Sequence, residues 1–157
     1  MNKLVTSYKL QVTKGFTLLE LLVVIGIIGI LVAMGTVSYT TAQSKSRDSR
    51  RKGDLENISK ALEQYYAKTY SYPADANCVG YEAYLASSKP VDPKWGFAYT
   101  DSTANIKSGG SGAFCSDLSF CICIEMETPG TGNASGRSGA ACSFGGTENY
   151  FCVQNQQ

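Results

Sequence analysis

The densest chemistry in this chain lies in seven consecutive residues, Lys14-Gly15-Phe16-Thr17-Leu18-Leu19-Glu20, followed by an apolar run from Leu21 to Val37. A carboxylate inside a membrane segment costs roughly 2.5–3.5 kcal/mol at the bilayer centre and less near an end. Glu20 therefore needs a reason to be there. A cation within reach, from the same or a neighbouring chain, would pair with it. In an apolar bundle that pairing lowers the cost of both charges and sets the register. The competing reading is that Glu20 snorkels to the headgroups. The second set of reactive residues is Cys78, Cys115, Cys121, Cys123, Cys142 and Cys152. They read as disulfide cysteines, and their spacing selects no single pairing. Zinc is the rival, disfavoured because the chain has no histidine and Cys121-Ile122-Cys123 lacks a two-residue spacer.

Other chemistries find little support. The chain of 157 residues has 14 basic and 13 acidic side chains and no histidine for acid–base work. It carries no nucleophile elbow or phosphate loop, so no enzyme, cofactor or metal site is expected. Lys3, Lys9 and Lys14 precede the apolar run, and no acid appears before Glu20. Loss of residues 1–15 would remove three of the 14 basic side chains and leave 11 against 13 acidic ones. That balance gives no sign of a nucleic-acid partner, which stays open. An ordinary secretory signal, cut after the apolar segment near Ala33-Met34-Gly35, would leave Glu20 unexplained.

Lys14, Gly15, Phe16, Thr17, Leu18 and Glu20 resemble the N-terminus of type IV prepilins and pseudopilins. The resemblance implies cleavage between Gly15 and Phe16 by a membrane peptidase at the cytoplasmic face, N-methylation of Phe16, and an assembly role for Phe16 and Glu20. Lys45, Arg47, Arg50, Arg51 and Lys52 alone would place the C-terminal side in the cytoplasm, and the resemblance implies the opposite orientation. Cysteines confined to that side fit an oxidising compartment.

The elements that must position these residues begin with one helix of roughly 80 Å from Phe16 to Tyr70. Phe16 to Val37 is long enough to cross a bilayer. Leu55, Ile58, Leu62, Tyr65 and Thr69 then recur at 3-4-3-4 spacing and mark one buried stripe. Asp48–Lys52 and Glu56–Lys60 are i,i+4 pairs, and the basic cluster Lys45 to Lys52 reads as a solvated face near headgroups or as inter-subunit salt bridges. Gly29 to Thr41 is a poor helix former that could unwind in a filament, and Gly26 and Gly29 could equally be packing sites between membrane helices. Many pilins have proline where this chain has Val37. Pro73 ends the helical pattern.

Residues 73–157 read as a small cysteine-rich β domain. Phe97 to Tyr99 is a short strand signal. Alternation puts Phe120, Ile122, Ile124 and Met126 on one face toward the helix stripe and Cys121 and Cys123 on the other. Asn149 to Val153 forms the next strand, with Cys152 in reach across an antiparallel ladder. Thr128 to Gly146 reads as a long exposed loop containing a glycosylation sequon, Asn133-Ala134-Ser135. Asp92-Pro93-Lys94-Trp95-Gly96-Phe97-Ala98-Tyr99 resembles a segment of the major pseudopilin of type II secretion, without that subunit's acidic calcium loop. The cysteine-rich end resembles pilins whose C-terminal loop a disulfide closes.

The expectation is an α+β fold, a long helix packed on a small antiparallel sheet in a pilin-like lollipop. Its parts are a leader (1–15), a transmembrane assembly half (16–41), an amphipathic half (42–72) and the β domain (73–157). The expected function is a structural subunit of a type IV pilus-like filament, a helical homo-oligomer. Its partners would be a prepilin peptidase and an inner-membrane assembly platform. Before assembly it would be a single-pass protein of the bacterial cytoplasmic membrane, and afterwards a surface or envelope filament. The alternatives are a pseudopilin of a type II secretion or DNA-uptake machine, and a membrane-tethered binding module that does not polymerise.

Overall fold

A computed structural model describes residues 15–75, 77–101, 112–138 and 141–156. Helix α1 runs unbroken from Leu18–Thr69, including the glycine- and threonine-rich stretch from Gly29 to Thr41. Its contacts divide the chain between Thr40 and Thr41 into two units.

In the first unit the large apolar side chains are exposed, from Leu18 at 85% to Val24 at 48%. This part of α1 is long and apolar enough to cross a membrane. A Cβ built at Gly26, Gly29 or Gly35 would meet nothing within 4 Å. Nothing in the chain itself therefore requires glycine at these positions.

In the second unit α1 presents Leu55, Ile58, Ala61 and Leu62 to a core shared with Phe120, Ile122, Ile124 and Met126. The expected stripe forms from Leu55 to Leu62, but Tyr65 is only half-buried and Tyr66 packs against the core in its place. Thr69 is exposed, because the helix ends there: its hydroxyl donates to the carbonyls of Tyr65 and Ser71. Tyr70 follows in the left-handed region at φ 58°, and the chain turns away before Pro73.

Five antiparallel strands make one sheet: β1 (Gly112–Ser116), β2 (Ser119–Glu125), β3 (Ala134–Ser138), β4 (Ala141–Phe144) and β5 (Tyr150–Gln154). Their spatial order is β1-β2-β5-β3-β4. β2 and β5 pair as expected, and the register sets Cys123, rather than Cys121, opposite Cys152. The expected loop from Thr128 to Gly146 is wrong: it contains β3 and β4. Glycine, serine and alanine have weak strand preference, so that hairpin depends on its surroundings. Phe97 to Tyr99 is not a strand either, contributing only a single bridge from Ala98 to Val91.

A second, smaller core lies on the other face of β2, where Cys121, Cys123, Ala134 and Cys152 are buried with Cys142 and Tyr150 against them. The two cores account for the alternation along β2, whose residues 120–124 are all buried.

Candidate functional site

Two places concentrate polar chemistry, one at the start of α1 and one in the second unit. At the first, Thr17 and Glu20 bond reciprocally. The Glu20 amide donates to Thr17 Oγ1 at 3.2 Å, and Glu20 Oε2 accepts from the Thr17 amide and hydroxyl at 3.1 Å each. This is a capping box: side chains satisfy backbone donors that the first turn of a helix leaves without partners. Sequence reasoning matched Thr17 to a motif but missed this role. The readable signal was threonine three residues before glutamate at the head of an apolar run.

The geometry gives Glu20 a position as well as a charge. Its carboxylate is folded back over the helix N-terminus, where the backbone dipole favours an anion, four residues from Phe16. It is the single charged residue between Gly15 and Lys45. Phe16 is 85% exposed, and a Cβ at Gly15 would meet nothing within 4 Å. Nothing among the described residues requires a small residue at Gly15. Lys14 lies outside the described residues.

The second place is built around Arg51, which is fully buried. Its Nε donates to Asp92 Oδ2 at 2.7 Å, and its Nη1 reaches Asp48 Oδ1 at 2.8 Å and Glu127 Oε1 at 3.0 Å. Asp92 also accepts from the amides of Lys94 and Trp95, and the Trp95 ring lies over the guanidinium at 4.9 Å. Asp48 accepts from the amides of Glu127 and Thr128. Arg47 and Lys94 pair with Glu127 at 2.7 and 3.0 Å. Hydrogen bonding from Arg47 is the main cause that holds the Glu127 carboxyl down at about 2. Burial works to raise Asp92, and the bonds from Arg51, Trp95 and Lys94 outweigh it, so its carboxyl is also lowered.

This cluster corrects the reading of Lys45 to Lys52 as a solvated face, which holds for Lys45 and Arg50 but not for Arg47, Asp48 or Arg51. Arg51 and Arg47 tie α1 to the Asp92 turn and to the end of β2, and Asp48 pairs with Arg51 rather than with Lys52. Lys52 donates to the carbonyl of Thr131. The Asp92-to-Tyr99 segment thereby finds its role: its aspartate closes over a buried arginine, and Tyr99 donates to Asp54 at 3.2 Å.

All six cysteines are paired, as Cys78–Cys115, Cys121–Cys142 and Cys123–Cys152. The sequon is in use for something else. Asn133 Nδ2 donates to the Cys152 carbonyl at 3.0 Å and its Oδ1 accepts from the Cys152 amide at 2.8 Å. The side chain imitates a strand partner, and its amide nitrogen is occupied in the folded state.

The model of the prokaryotic N-terminal methylation motif matches residues 11–36. The chain is 31% identical over 139 residues to the fimbrial protein EcpC of Eikenella corrodens, covering 88% of this chain and 78% of that one. It is 34% identical over 68 residues to the type IV major pilin protein PilA of Myxococcus xanthus, covering 43% of this chain and 31% of the relative. Over 60 residues it is 35% identical to the type II secretion system core protein G of Pseudomonas aeruginosa, covering 38% of this chain and 42% of that protein. No solved structure matches at comparable significance.

Proposed function

The chain belongs to the type IV pilin family, and from that premise we propose that it is a structural subunit polymerising through its N-terminal helix into a pilus-like filament. Residues 1–15 are a leader removed by a prepilin peptidase, Phe16 is methylated, and 16–41 anchors the subunit in the cytoplasmic membrane until an assembly platform extracts it. Residues 42–72 and 73–157 form the displayed part. The observation that carries this reading is an exposed apolar helix whose one charge is held at its N-terminal turn. Such a surface needs lipid or other helices around it, and a carboxylate placed there suits the cationic Phe16 amine of a neighbour.

The capping box makes the test sharper. Glu20→Gln keeps the capping acceptor and removes the charge, whereas Glu20→Val removes both. If charge pairing drives polymerisation, both variants insert and fold but neither elongates, since breaking a buried pair costs about 3–5 kcal/mol per subunit. Filaments from Glu20→Gln at wild-type level would reject pairing and leave capping as the role of Glu20. Intact mass of the native subunit checks the processing: 142 residues beginning at methylated Phe16 are expected, and a chain starting at Met1 sinks it.

Similarity to the type II secretion core protein supports a second reading, a pseudopilin acting inside a secretion machine. Long surface fibres carrying this subunit on native cells favour the first reading. A periplasm-confined assembly with impaired protein export in a deletion strain favours the second.

A further inference from the structure

The two bridges behind the sheet are close enough to react with one another. Cys121 Sγ lies 3.7 Å from Cys123 Sγ, and Cys142 Sγ lies 4.0 Å from Cys123 Sγ. These distances join sulfurs of different disulfides, Cys121–Cys142 and Cys123–Cys152. The third bridge, Cys78–Cys115, belongs to the other core. Within the cluster exposure is uneven. Cys121, Cys123 and Cys152 are only 0%, 1% and 2% exposed, whereas Cys142 on β4 is partly exposed.

We propose that Cys121, Cys123, Cys142 and Cys152 form a thiol–disulfide exchange site that takes an external dithiol as its substrate, with Cys142 the sulfur attacked first. A thiolate of the dithiol attacks Cys142 Sγ. The Cys121–Cys142 bond breaks, a mixed disulfide forms on Cys142, and Cys121 leaves as thiolate. The second thiol of the reagent then attacks its own sulfur in that mixed disulfide and releases the Cys142 thiolate. The reagent leaves oxidised to its disulfide, two electrons have entered the protein, and the new thiolates take protons from solvent as pH dictates.

The next step is internal and needs no further reductant. The Cys142 thiolate, 4.0 Å from Cys123 Sγ, attacks it. A Cys123–Cys142 bond forms, the Cys123–Cys152 bond breaks, and Cys152 leaves as thiolate. One bond is exchanged for another with no change in oxidation state.

The fold gives this exchange a purpose. The β3–β4 hairpin shares one ladder pair with β5, Ala134 with Tyr150, supported by Asn133 bonding to Cys152 and by sulfur contacts of Cys142 and Cys152 with the Val153 and Gly136 carbonyls. Its covalent tie is Cys142. After a single reduction the exchange ties the hairpin to β2 again, at Cys123 in place of Cys121. The hairpin stays covalently attached, and the free thiol moves from Cys142 on β4 to Cys152 on β5.

The test uses the full processed subunit in detergent with the Cys152→Ser change, which leaves three cysteines in the cluster and one thiol among them. That thiol is alkylated under denaturing acid quench and located by fragment-ion mapping. Exchange distributes the label between Cys121 and Cys123, within about tenfold of each other. Label confined to Cys123 overturns the proposal. Wild-type protein treated with equimolar dithiothreitol supplies the answer if that variant fails to fold. Label should appear first on Cys121 and Cys142, then move from Cys142 to Cys152, while Cys78 and Cys115 stay oxidised. Cys152 remaining at background, or all four sulfurs opening together, would equally overturn it.

Discussion

The two units of this chain solve opposite problems with the same helix. Before Thr40, α1 exposes nearly every apolar side chain it has. After Thr41 the same element buries Leu55, Ile58 and Leu62 completely and takes charged residues inward with them. The first unit is stable only with something apolar around it, and its single carboxylate is held by local capping. The second unit closes on itself with three disulfides and a buried ion cluster. The contrast teaches that helix formation here is local, whereas the fold of the C-terminal unit depends on long-range bonds.

Removing those bonds should separate the units most. Full reduction should unfold the C-terminal unit while the apolar half of α1 stays helical in detergent. Each bridge closes a loop of 21 to 37 residues, worth about 3–4 kcal/mol in the chain-entropy model. Near-UV and far-UV circular dichroism before and after reduction will show it. Equal loss of both signals would mean that the two units are not independent.

Arg51→Met should come next. It leaves Asp48, Asp92 and Glu127 facing one another without their central cation, a loss of about 3–5 kcal/mol. Denaturant melts of the second unit measure it, and a change below about 1 kcal/mol would put Arg51 in the class of exposed surface pairs. Gly132→Ala should cost less, about 1–3 kcal/mol from forced backbone movement. A Cβ there would run into the Tyr150 carbonyl oxygen, at the point where the β3–β4 hairpin meets β5. Gly53→Ala, with nothing within 4 Å, is the control and should leave stability unchanged or raised.

The smallest expected effect is on acid stability. The Glu127 carboxyl is lowered from 4.5 to about 2 in the folded chain. A depressed carboxylate stabilises the fold above its unfolded value, so its contribution is intact above about pH 4.5 and fades as pH falls toward 2. Arg47→Ala should therefore start the acid transition of the second unit at higher pH, with the apolar half of α1 unaffected. At the alkaline side, burial raises the Tyr81 phenol to about 12. Its share of stability is present below pH 10 and is lost as pH rises through that interval.

Much of the architecture could be read from local pattern alone. Periodicity placed the buried stripe of α1 from Leu55 to Leu62, and alternation placed Phe120, Ile122 and Ile124 against it. The same alternation put Cys121 and Cys123 on the opposite face within reach of Cys152, and only the register chose Cys123. The motif from Lys14 to Glu20 marked the family before any coordinates. It failed wherever a residue's environment came from chain segments far away. Arg51 looked like one member of a solvated basic run, because neighbours in sequence say nothing of Asp92 arriving from 41 residues on. Cys142 looked like a loop residue because Gly, Ser and Ala around it have no strand preference of their own, and only closure of the hairpin onto β2 and β5 makes strands of them. Asn133 matched a sequon on residue type alone, while its side chain was committed to the backbone of Cys152. Local sequence by itself determined the helix, its cap and its apolar surface, since turn-by-turn hydrogen bonding and side-chain period need only near neighbours. Tertiary structure alone decided which charges are buried, which sulfurs meet and whether the hairpin forms, because each depends on bringing distant segments together against chain entropy.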